Sequence, residues 1–252
     1  LKGEVDTYYI GDDTISKENL KEYLDKSKFA IASNGVLYRT DAVGCIPGIL
    51  DLWFQKRVEY KNEMKKYGKA GNKEKYAFFH KRQLVQKILL NSLYGVLGLP
   101  AFRFYDVDNA TAVTTTGQTV IKSTADMANI KYNKELGNPD LDSNIYIDTD
   151  SVFFSAVPLM DKRLPNWKEQ DQDTIAGYVN EIAEEMQDYL NDFYDIMSKK
   201  IFNVDVDKHR LEIKKEYVAK AGLWVAKKRY AQWIISDNGV PCDKLDVKGL
   251  DV

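Results

Sequence analysis

The spacing of apolar residues along the chain predicts four long helices. Patterns typical of helices run through residues 46–67, 74–98, 109–136 and 173–200. The last segment is amphipathic, and its predicted buried side is formed by Ile175, Val179, Ile182, Met186, Tyr189 and Phe193. The turn between the first two helices, "YGKAGNK", contains two glycines, and two helices joined by so short a turn form an αα-hairpin.

Short apolar runs bounded by turn residues predict the strands. Asn34-Gly35 lies between two apolar runs within residues 29–39, which is the strongest short signal for a β-hairpin. From residue 211 onward, the segments "LEIKKEYVA" and "LWVAKKRYAQWIIS" have the pattern of strands, followed by a tight turn at Asn238-Gly239. Together these elements predict an α+β fold, in which a helical hairpin projects from an antiparallel sheet with packed helices.

Composition and charge exclude several classes of protein. Of the 252 residues, 44% are hydrophobic and 29% are charged, as in ordinary globular proteins, and no apolar run is long enough for a membrane span. The two cysteines and the two histidines are isolated, so we expect no zinc site, reduced thiols and a cytosolic protein. The net charge of −2 does not indicate nucleic-acid binding, but residues 51–90 hold eleven Lys or Arg against four Asp or Glu. This local excess is either a solvated helical face or a binding surface for anions.

Two aspartates, Asp148 and Asp150, interrupt the apolar segment "IYIDTDSVFF" at residues 145–154. Because an unpaired carboxylate inside a buried strand is costly, we expect the pair at a tight turn between two strands. One interpretation is a β-hairpin with an acidic tip, since Asp-Thr-Asp suits a turn. The other is a site for a hard divalent cation, since Mg²⁺ takes one or two carboxylates together with substrate phosphates.

The predicted helical hairpin carries polar residues at spacings that share a face. Arg57 and Lys61 are four apart on the first helix, and Lys87, Asn91 and Tyr94 follow at i, i+4 and i+7 on the second. Each cation taken alone fits an ordinary surface charge. Taken together, three cations with an amide and a phenol suit a polyphosphate, since Arg and Lys bind phosphate and an aromatic ring stacks on a sugar or base.

Three ordered motifs resemble those of the family-B DNA polymerases, most of all the T-even bacteriophage type. "KILLNSLYG" (87–95) fits the pattern K-x-x-x-N-S-x-Y-G, "YIDTDSVF" (146–153) resembles the Tyr-Gly-Asp-Thr-Asp-Ser segment, and "KKRY" (227–230) resembles the Lys-x-Tyr segment. Residues 44–61 and 109–118 are similar to the family's first fingers helix and its Thr-rich palm entry. Three motifs in the family's order are far more specific than one short match.

The resemblance implies a fingers-and-palm piece of a polymerase, with residues 1–43 and 100–252 in the palm and residues 44–99 in the fingers. The reaction would be template-directed transfer of a nucleotide from a dNTP to a primer 3′-hydroxyl. Primer–template DNA would be the partner and two Mg²⁺ ions the cofactors. The protein would act in the cytoplasm, which is that of the bacterial host if its source is viral.

The resemblance also implies roles for the residues of the predicted helical hairpin. Arg57, Lys61 and Lys87 would hold the triphosphate, and Lys87 would belong to the catalytic set. Asn91 would lie beside them, and Tyr94 would pack near the nascent base pair.

The remaining roles fall on the aspartate pair and on the strands that follow. Asp150 and Asp148 would be catalytic and would bind metal, Asp148 in support, and Glu216 matches an acidic position near the metal less closely. The primer strand would be held near its 3′ end by Lys227, Lys228, Arg229 and Tyr230. On a strand, Lys228 and Tyr230 share a face, which places a cation and an aromatic ring along a phosphate backbone. The same segment also fits a plain, solvent-facing basic strand.

Several features depart from the family pattern. Ile147 replaces the glycine before the first aspartate and adds bulk to a crowded turn. The sequence has no segment of the form D-x-x-S-L-Y-P-S, which carries a further metal-binding Asp in the family, and shows neither an exonuclease region nor a thumb beyond "VKGLDV". We therefore expect an upstream segment or separate chains to supply these parts. The alternative is a catalytically inactive fragment that binds nucleotide or DNA.

Overall fold

The computed structural model describes residues 7–10 and 12–250, which contain six α-helices and nine β-strands. The helices are α1 (Leu20–Ser27), α2 (Cys45–Lys69), α3 (Lys73–Leu97), α4 (Val107–Leu136), α5 (Val157–Arg163) and α6 (Gln172–Ile201). The strands are β1 (Thr7–Ile10), β2 (Asp13–Ser16), β3 (Phe29–Ile31), β4 (Leu37–Arg39), β5 (Asn144–Asp148), β6 (Ser151–Phe154), β7 (Tyr217–Ala226), β8 (Arg229–Asp237) and β9 (Val240–Lys248). The last two residues of "VKGLDV" lie outside the described residues.

Two compact units make up the chain, Leu1–Thr116 and Gly117–Val252. In the first unit, β1 pairs antiparallel with β2, and β3 with β4. The β3–β4 turn is held from the beginning of α4, because the Asn34 side chain donates a hydrogen bond to the Asp108 carbonyl at 3.0 Å. The hairpin predicted at Asn34-Gly35 is therefore confirmed, with Ile31 opposite Leu37.

Helices α2 and α3 form an antiparallel hairpin within the first unit. Tyr67 on α2 lies parallel to Phe79 on α3, with ring centroids 5.6 Å apart. Gly68 permits the close approach of the two helices, since a Cβ at this position would stand 3.2 Å from the Tyr76 ring. Among the described residues, α2 has no buried side chain and α3 has only Leu97, so this hairpin is largely accessible to solvent.

The core of the second unit lies between α4, α5 and α6. It is formed by Ala128, Tyr132, Leu159, Met160, Ile182, Met186 and Leu190. At its edge, the Arg163 guanidinium donates to the carboxylates of Glu135 and Glu185 at 2.7–3.0 Å. These hydrogen bonds lower the pKa of both carboxyl groups and raise the pKa of Arg163. The three helices are thus joined by charge as well as by apolar packing.

Strands β7, β8 and β9 form an antiparallel three-stranded sheet in that order. Val218 and Ile235 pack on Ala176 of α6, which attaches the sheet to the helical layer. The β8–β9 turn uses Asn238 and Gly239 with φ of 50° and 79°, a conformation that these two residue types tolerate. The tight turn predicted there is confirmed.

The structure confirms the four long helices and the α+β fold, and it corrects three details. Residues 211–216 form no strand, and the predicted strand "LWVAKKRYAQWIIS" is divided by a turn at Lys227 and Lys228. The buried side of α6 passes through Leu190, Tyr194 and Met197, and Phe193 is only partly buried. No helix among the described residues has the length and apolarity that a membrane crossing requires.

Candidate functional site

The aspartate pair stands at the tip of the β5–β6 hairpin. Asp148 is paired with Ser151 at the end of the ladder, and Thr149 adopts a φ of 51° in the turn between them. The Asp150 N–H donates to the Asp148 carbonyl at 2.6 Å, and the Thr149 hydroxyl donates to Oδ1 of Asp148 at 3.0 Å. Asp150 is exposed, whereas the Asp148 side chain is 20% exposed. The strand–turn–strand prediction is therefore correct, and both carboxylates leave one tight turn.

The β7–β8 hairpin brings its turn to the same place. The backbone N–H of Lys228 donates to Oη of Tyr146 at 2.8 Å, and the Lys228 ammonium lies 3.7 Å from Oδ1 of Asp148. Lys228 is in the left-handed region with a φ of 61°. The structure thus brings together two motifs, "IDTD" and "KKRY", that are about eighty residues apart in sequence.

An aromatic cluster holds these two hairpins together. The Tyr230 ring lies 5.5 Å from Tyr146 and 5.9 Å from Phe153, and Phe153 lies 6.0 Å from Trp224. Such pairs contribute about 0.5–1.5 kcal/mol each beyond the burial of their area. Burial, followed by the negative charge of Asp148, raises the pKa of the Tyr230 phenol. The cluster therefore positions Asp148 relative to the basic turn.

The predicted arrangement of Lys228 and Tyr230 on one face of a strand is wrong. Lys228 lies in the turn, and Tyr230 lies in β8 with its side chain buried among the aromatic rings. Lys227, Lys228 and Arg229 are exposed. The cations of "KKRY" therefore reach solvent, while its tyrosine packs inward.

Glu216 lies apart from the aspartate pair. Glu216 directly precedes the first residue of β7, and its carbonyl accepts a hydrogen bond from the Asn238 N–H at 2.6 Å. The Lys227–Lys228 turn follows the last residue of this ten-residue strand, so the two are at opposite ends of β7. The described part of the chain contains no group of three or more Asp, Glu, His or Cys that could hold a metal ion. Within the described residues, Asp148 and Asp150 thus lie together without a third carboxylate.

The predicted phosphate-binding residues lie on α2 and α3 in the first unit. Arg57 is partly buried, and its Nε has no hydrogen-bond partner among the described residues. Lys61, Lys87 and Asn91 are exposed, and Tyr94 is 38% exposed. On α3, Lys87, Asn91 and Tyr94 keep the spacing of one helical face. This face presents a cation, an amide and a phenol to solvent.

The aromatic contacts fix the register of the two helices. Tyr60 on α2 lies 6.2 Å from Phe79, and the Arg82 guanidinium stands 5.8 Å from the Tyr60 ring. Arg57 precedes Tyr60 by about one helical turn. Because the helices are antiparallel, Arg57 is level with residues of α3 that follow Arg82 in sequence, in the direction of Lys87. The cations of both helices therefore lie at similar levels, near the middle of the hairpin.

Sequence reasoning assigned no role to three residues that shape the site. Tyr146 accepts the Lys228 N–H, Trp224 contributes to the aromatic cluster, and Gly249 approaches the Lys228 carbonyl so closely that a Cβ would overlap it. The sequence offered one signal for two of them, since Tyr146 lies in the segment "YIDTDSVF" and Gly249 in "VKGLDV". Their contacts depend on distant pairings, which the local pattern does not reveal.

Comparison with known proteins places these motifs in one family. The sequence profile described as "DNA polymerase family B" matches residues 10–252. The DNA-directed DNA polymerase of Escherichia phage RB69 is 31% identical over 180 residues, covering 67% of this chain and 20% of the relative. That of Enterobacteria phage T4 is 35% identical over 159 residues, covering 59% of this chain and 17% of the relative.

Among solved structures, that of the family B DNA polymerase from the hyperthermophilic archaeon Pyrobaculum calidifontis is similar. It matches at 22% identity with a TM-score of 0.48, covering 88% of this chain and 22% of that one. The present chain therefore spans about a fifth of the length of each of these three proteins.

Proposed function

Because the chain belongs to DNA polymerase family B, we propose that it is the nucleotide- and primer-binding part of a DNA-directed DNA polymerase. It would take part in template-directed transfer of nucleotides from dNTPs to a primer 3′-hydroxyl. The observation that supports this best is the 3.7 Å contact between Lys228 of "KKRY" and Asp148 of "IDTD". A cation for the primer backbone and carboxylates for a metal are both needed where the 3′-hydroxyl reacts.

The exposed turn at the end of β7 would bind the primer strand. Lys227, Lys228 and Arg229 are exposed side by side, and phosphate contacts of this kind position a strand without reading its sequence. Tyr230 is buried, so it would support the turn from inside rather than touch the DNA. The Tyr146 hydroxyl would hold the turn in place through the Lys228 N–H.

The aspartate pair has the chemistry of a magnesium site. Asp148 and Asp150 present carboxylates from one turn, and Mg²⁺ takes one or two carboxylates together with substrate phosphates. We assign both residues to metal binding, with two Mg²⁺ as the expected ions. Bound there, the ions would stabilise negative charge on the attacking and leaving oxygens. A third carboxylate would come from an upstream segment or from a separate chain, in preference to Glu216.

The α2–α3 hairpin would hold the triphosphate of the dNTP. Arg57, Lys61 and Lys87 supply the cations, and the Nε of Arg57 is a buried donor without a partner among the described residues. Arg binds phosphate through its planar guanidinium and Lys binds it as a point charge. Asn91 and Tyr94 would contact the nucleotide from the same face of α3. In this assignment residues 44–99 are the fingers, and residues 1–43 and 100–252 belong to the palm.

Primer extension by the whole chain, alone and with a polypeptide that carries the missing Asp segment, tests the assignment. We expect synthesis only in the combination, and we expect Asp150→Asn to abolish it. The matched control is Asp140→Asn, which changes an exposed carboxylate in a loop of the same unit. Synthesis that survives Asp150→Asn would remove the aspartate pair from the mechanism. Binding of dNTP and DNA without synthesis in any combination would indicate the inactive fragment instead.

A second variant tests the role of the helical hairpin. Lys87→Ala should raise the KM for dNTP far more than the Kd for primer–template DNA, because Lys87 is assigned to the triphosphate. Lys81→Ala, an exposed lysine on the same helix, is the control and should change neither. Equal losses in both quantities for Lys87→Ala would indicate a plain DNA-binding face.

A further inference from the structure

The connected ends of α2 and α3 carry a dense group of lysines that no proposed role uses. We call residues 62–76 the hairpin tip. It contains two acidic residues, Glu63 and Glu74, and five lysines, Lys65, Lys66, Lys69, Lys73 and Lys75. All five lysines are exposed. Of these five lysines, only Lys66 forms an ion pair with another described residue, which is Glu63 at 3.6 Å. The tip therefore has a surplus of uncompensated positive charge.

Three of these lysines surround one open depression. Lys65, Lys66 and Lys69 line it together with Asn62 and Ala70, and its volume is about 550 Å³. Lys65 and Lys69 are one helical turn apart, which corresponds to about 6 Å along the axis. Cations spaced along a shallow surface suit an extended polyanion better than an enclosed small molecule.

Aromatic rings lie among the lysines. The ammonium of Lys75 stands 4.8 Å from the centroid of Tyr67, and that of Lys66 stands 5.6 Å from the same ring. Tyr76 is 41% exposed and stacks on His80 with centroids 6.0 Å apart. Tyr67 is covered by Phe79 and Lys75, so Tyr76 is the ring beside these cations on which a base could stack while phosphates meet the charges.

We propose that the hairpin tip is a further contact for DNA, which binds single strands without sequence preference. The tip lies beyond the triphosphate residues on α2, since Lys65 follows Lys61 by one helical turn, about 6 Å, and Lys69 lies about 18 Å beyond Arg57. Lysine suits this role because its ammonium group is a compact charge that can bind phosphates in many orientations. The proposal extends the proposed function and rests on it only for the presence of DNA. An acidic protein segment would meet the charges but would leave the exposed Tyr76 ring unused.

Binding of a fluorescent oligothymidylate to the whole chain, measured by anisotropy over a range of salt concentrations, tests the proposal. The test variant is Lys65→Ala, Lys66→Ala and Lys69→Ala combined. Losing three phosphate contacts should reduce the slope of log K against log salt by about 2. Between about 50 and 200 mM salt, wild-type affinity should therefore fall about 20-fold more than that of the variant. The same three positions changed to Arg should retain the wild-type slope.

A matched control separates the tip from net charge. Lys122→Ala, Lys134→Ala and Lys244→Ala combined remove three exposed lysines from the second unit, and should leave the slope unchanged. Polyglutamate, measured in the same way, represents an acidic protein segment. The proposal is overturned if the tip variant keeps the wild-type slope, if the slope of the control variant falls as much, or if the tip variant weakens binding of polyglutamate but not of oligothymidylate. Failure of the tip variant's prediction with intact Asp150-dependent synthesis would therefore refute this inference alone.

Discussion

Gly249 controls the position of the basic turn, and replacing it should move Lys228. Gly249 has a φ of 61°, and a Cβ at this residue would overlap the backbone carbonyl of Lys228. Left-handed backbone costs a residue with a side chain about 1–2 kcal/mol. Because the overlapped atom belongs to the backbone, it cannot rotate away, and relief of such overpacking costs a further ~1–3 kcal/mol. Gly249→Ala should therefore lower the free energy of unfolding by about 2–5 kcal/mol.

Gly239 offers a matched control in the same sheet. Its φ is 79°, and a Cβ there would meet no atom within 4 Å. Gly239→Ala should therefore show the conformational cost alone, about 1–2 kcal/mol. The difference between the two variants isolates the contact with Lys228.

Urea unfolding followed by tryptophan fluorescence measures both costs, since Trp224 and Trp233 lie in β7 and β8. Primer–template binding, measured on the folded proteins, should weaken in Gly249→Ala and stay near wild type in Gly239→Ala. The reasoning fails if the two variants lose equal stability, or if Gly249→Ala binds DNA as tightly as Gly239→Ala. Either result would mean that Gly249 does not fix the turn.

Three other changes test separate parts of the structure. Tyr146→Phe keeps the ring but removes the acceptor of the Lys228 N–H, so it should cost about 1 kcal/mol and lower the Tm by about 2–4 °C in a thermal melt. Lys228→Gly should weaken primer–template binding while raising stability in urea by about 1 kcal/mol, because glycine accepts the left-handed φ without strain; a parallel loss of stability would contradict this. The pKa values of Glu135 and Glu185 are held below the ordinary 4.5 by Arg163, so this stabilisation is complete above pH 4.5 and is lost as pH falls toward the lowered values. Arg163→Met should therefore show a flatter dependence of unfolding free energy on pH below 4.5 than the wild type, and an unchanged slope there would count against the ion pairs.

The long helices were predictable because their signals are local. Helix α3 begins at Lys73 and ends at Leu97, against a prediction of 74–98, since Asn72 caps its start and Gly98 ends it. The Asn238-Gly239 turn was predictable for the same reason, because both residue types tolerate positive φ. Short elements such as α1 and α5 were missed because seven or eight residues carry little periodic signal.

The division of the β7–β8 segment was not predictable from local pattern. Lys227-Lys228 has no turn chemistry of its own, and the surrounding residues continue the pattern of a strand. The turn is fixed instead by tertiary contacts with Tyr146 and Gly249. The wrong prediction that Tyr230 shares a strand face with Lys228 has the same cause, because the turn changes which side of the sheet each later residue faces.

The conformations of the two turns that meet at the candidate site support a role for their side chains. Among the described residues, only three that are neither Gly nor Asn have positive φ, and they are Lys28, Thr149 and Lys228. Two of these three lie in the turns that bring "IDTD" and "KKRY" together. A β-branched threonine is especially unfavourable in this region, and glycine would remove the strain in both turns at no steric cost. Strain of this kind persists where the surroundings enforce it and concentrates at functional sites. The Thr149 hydroxyl bonds Asp148, and the Lys228 ammonium lies beside the same carboxylate, so each strained residue places a polar group at Asp148 that glycine could not supply.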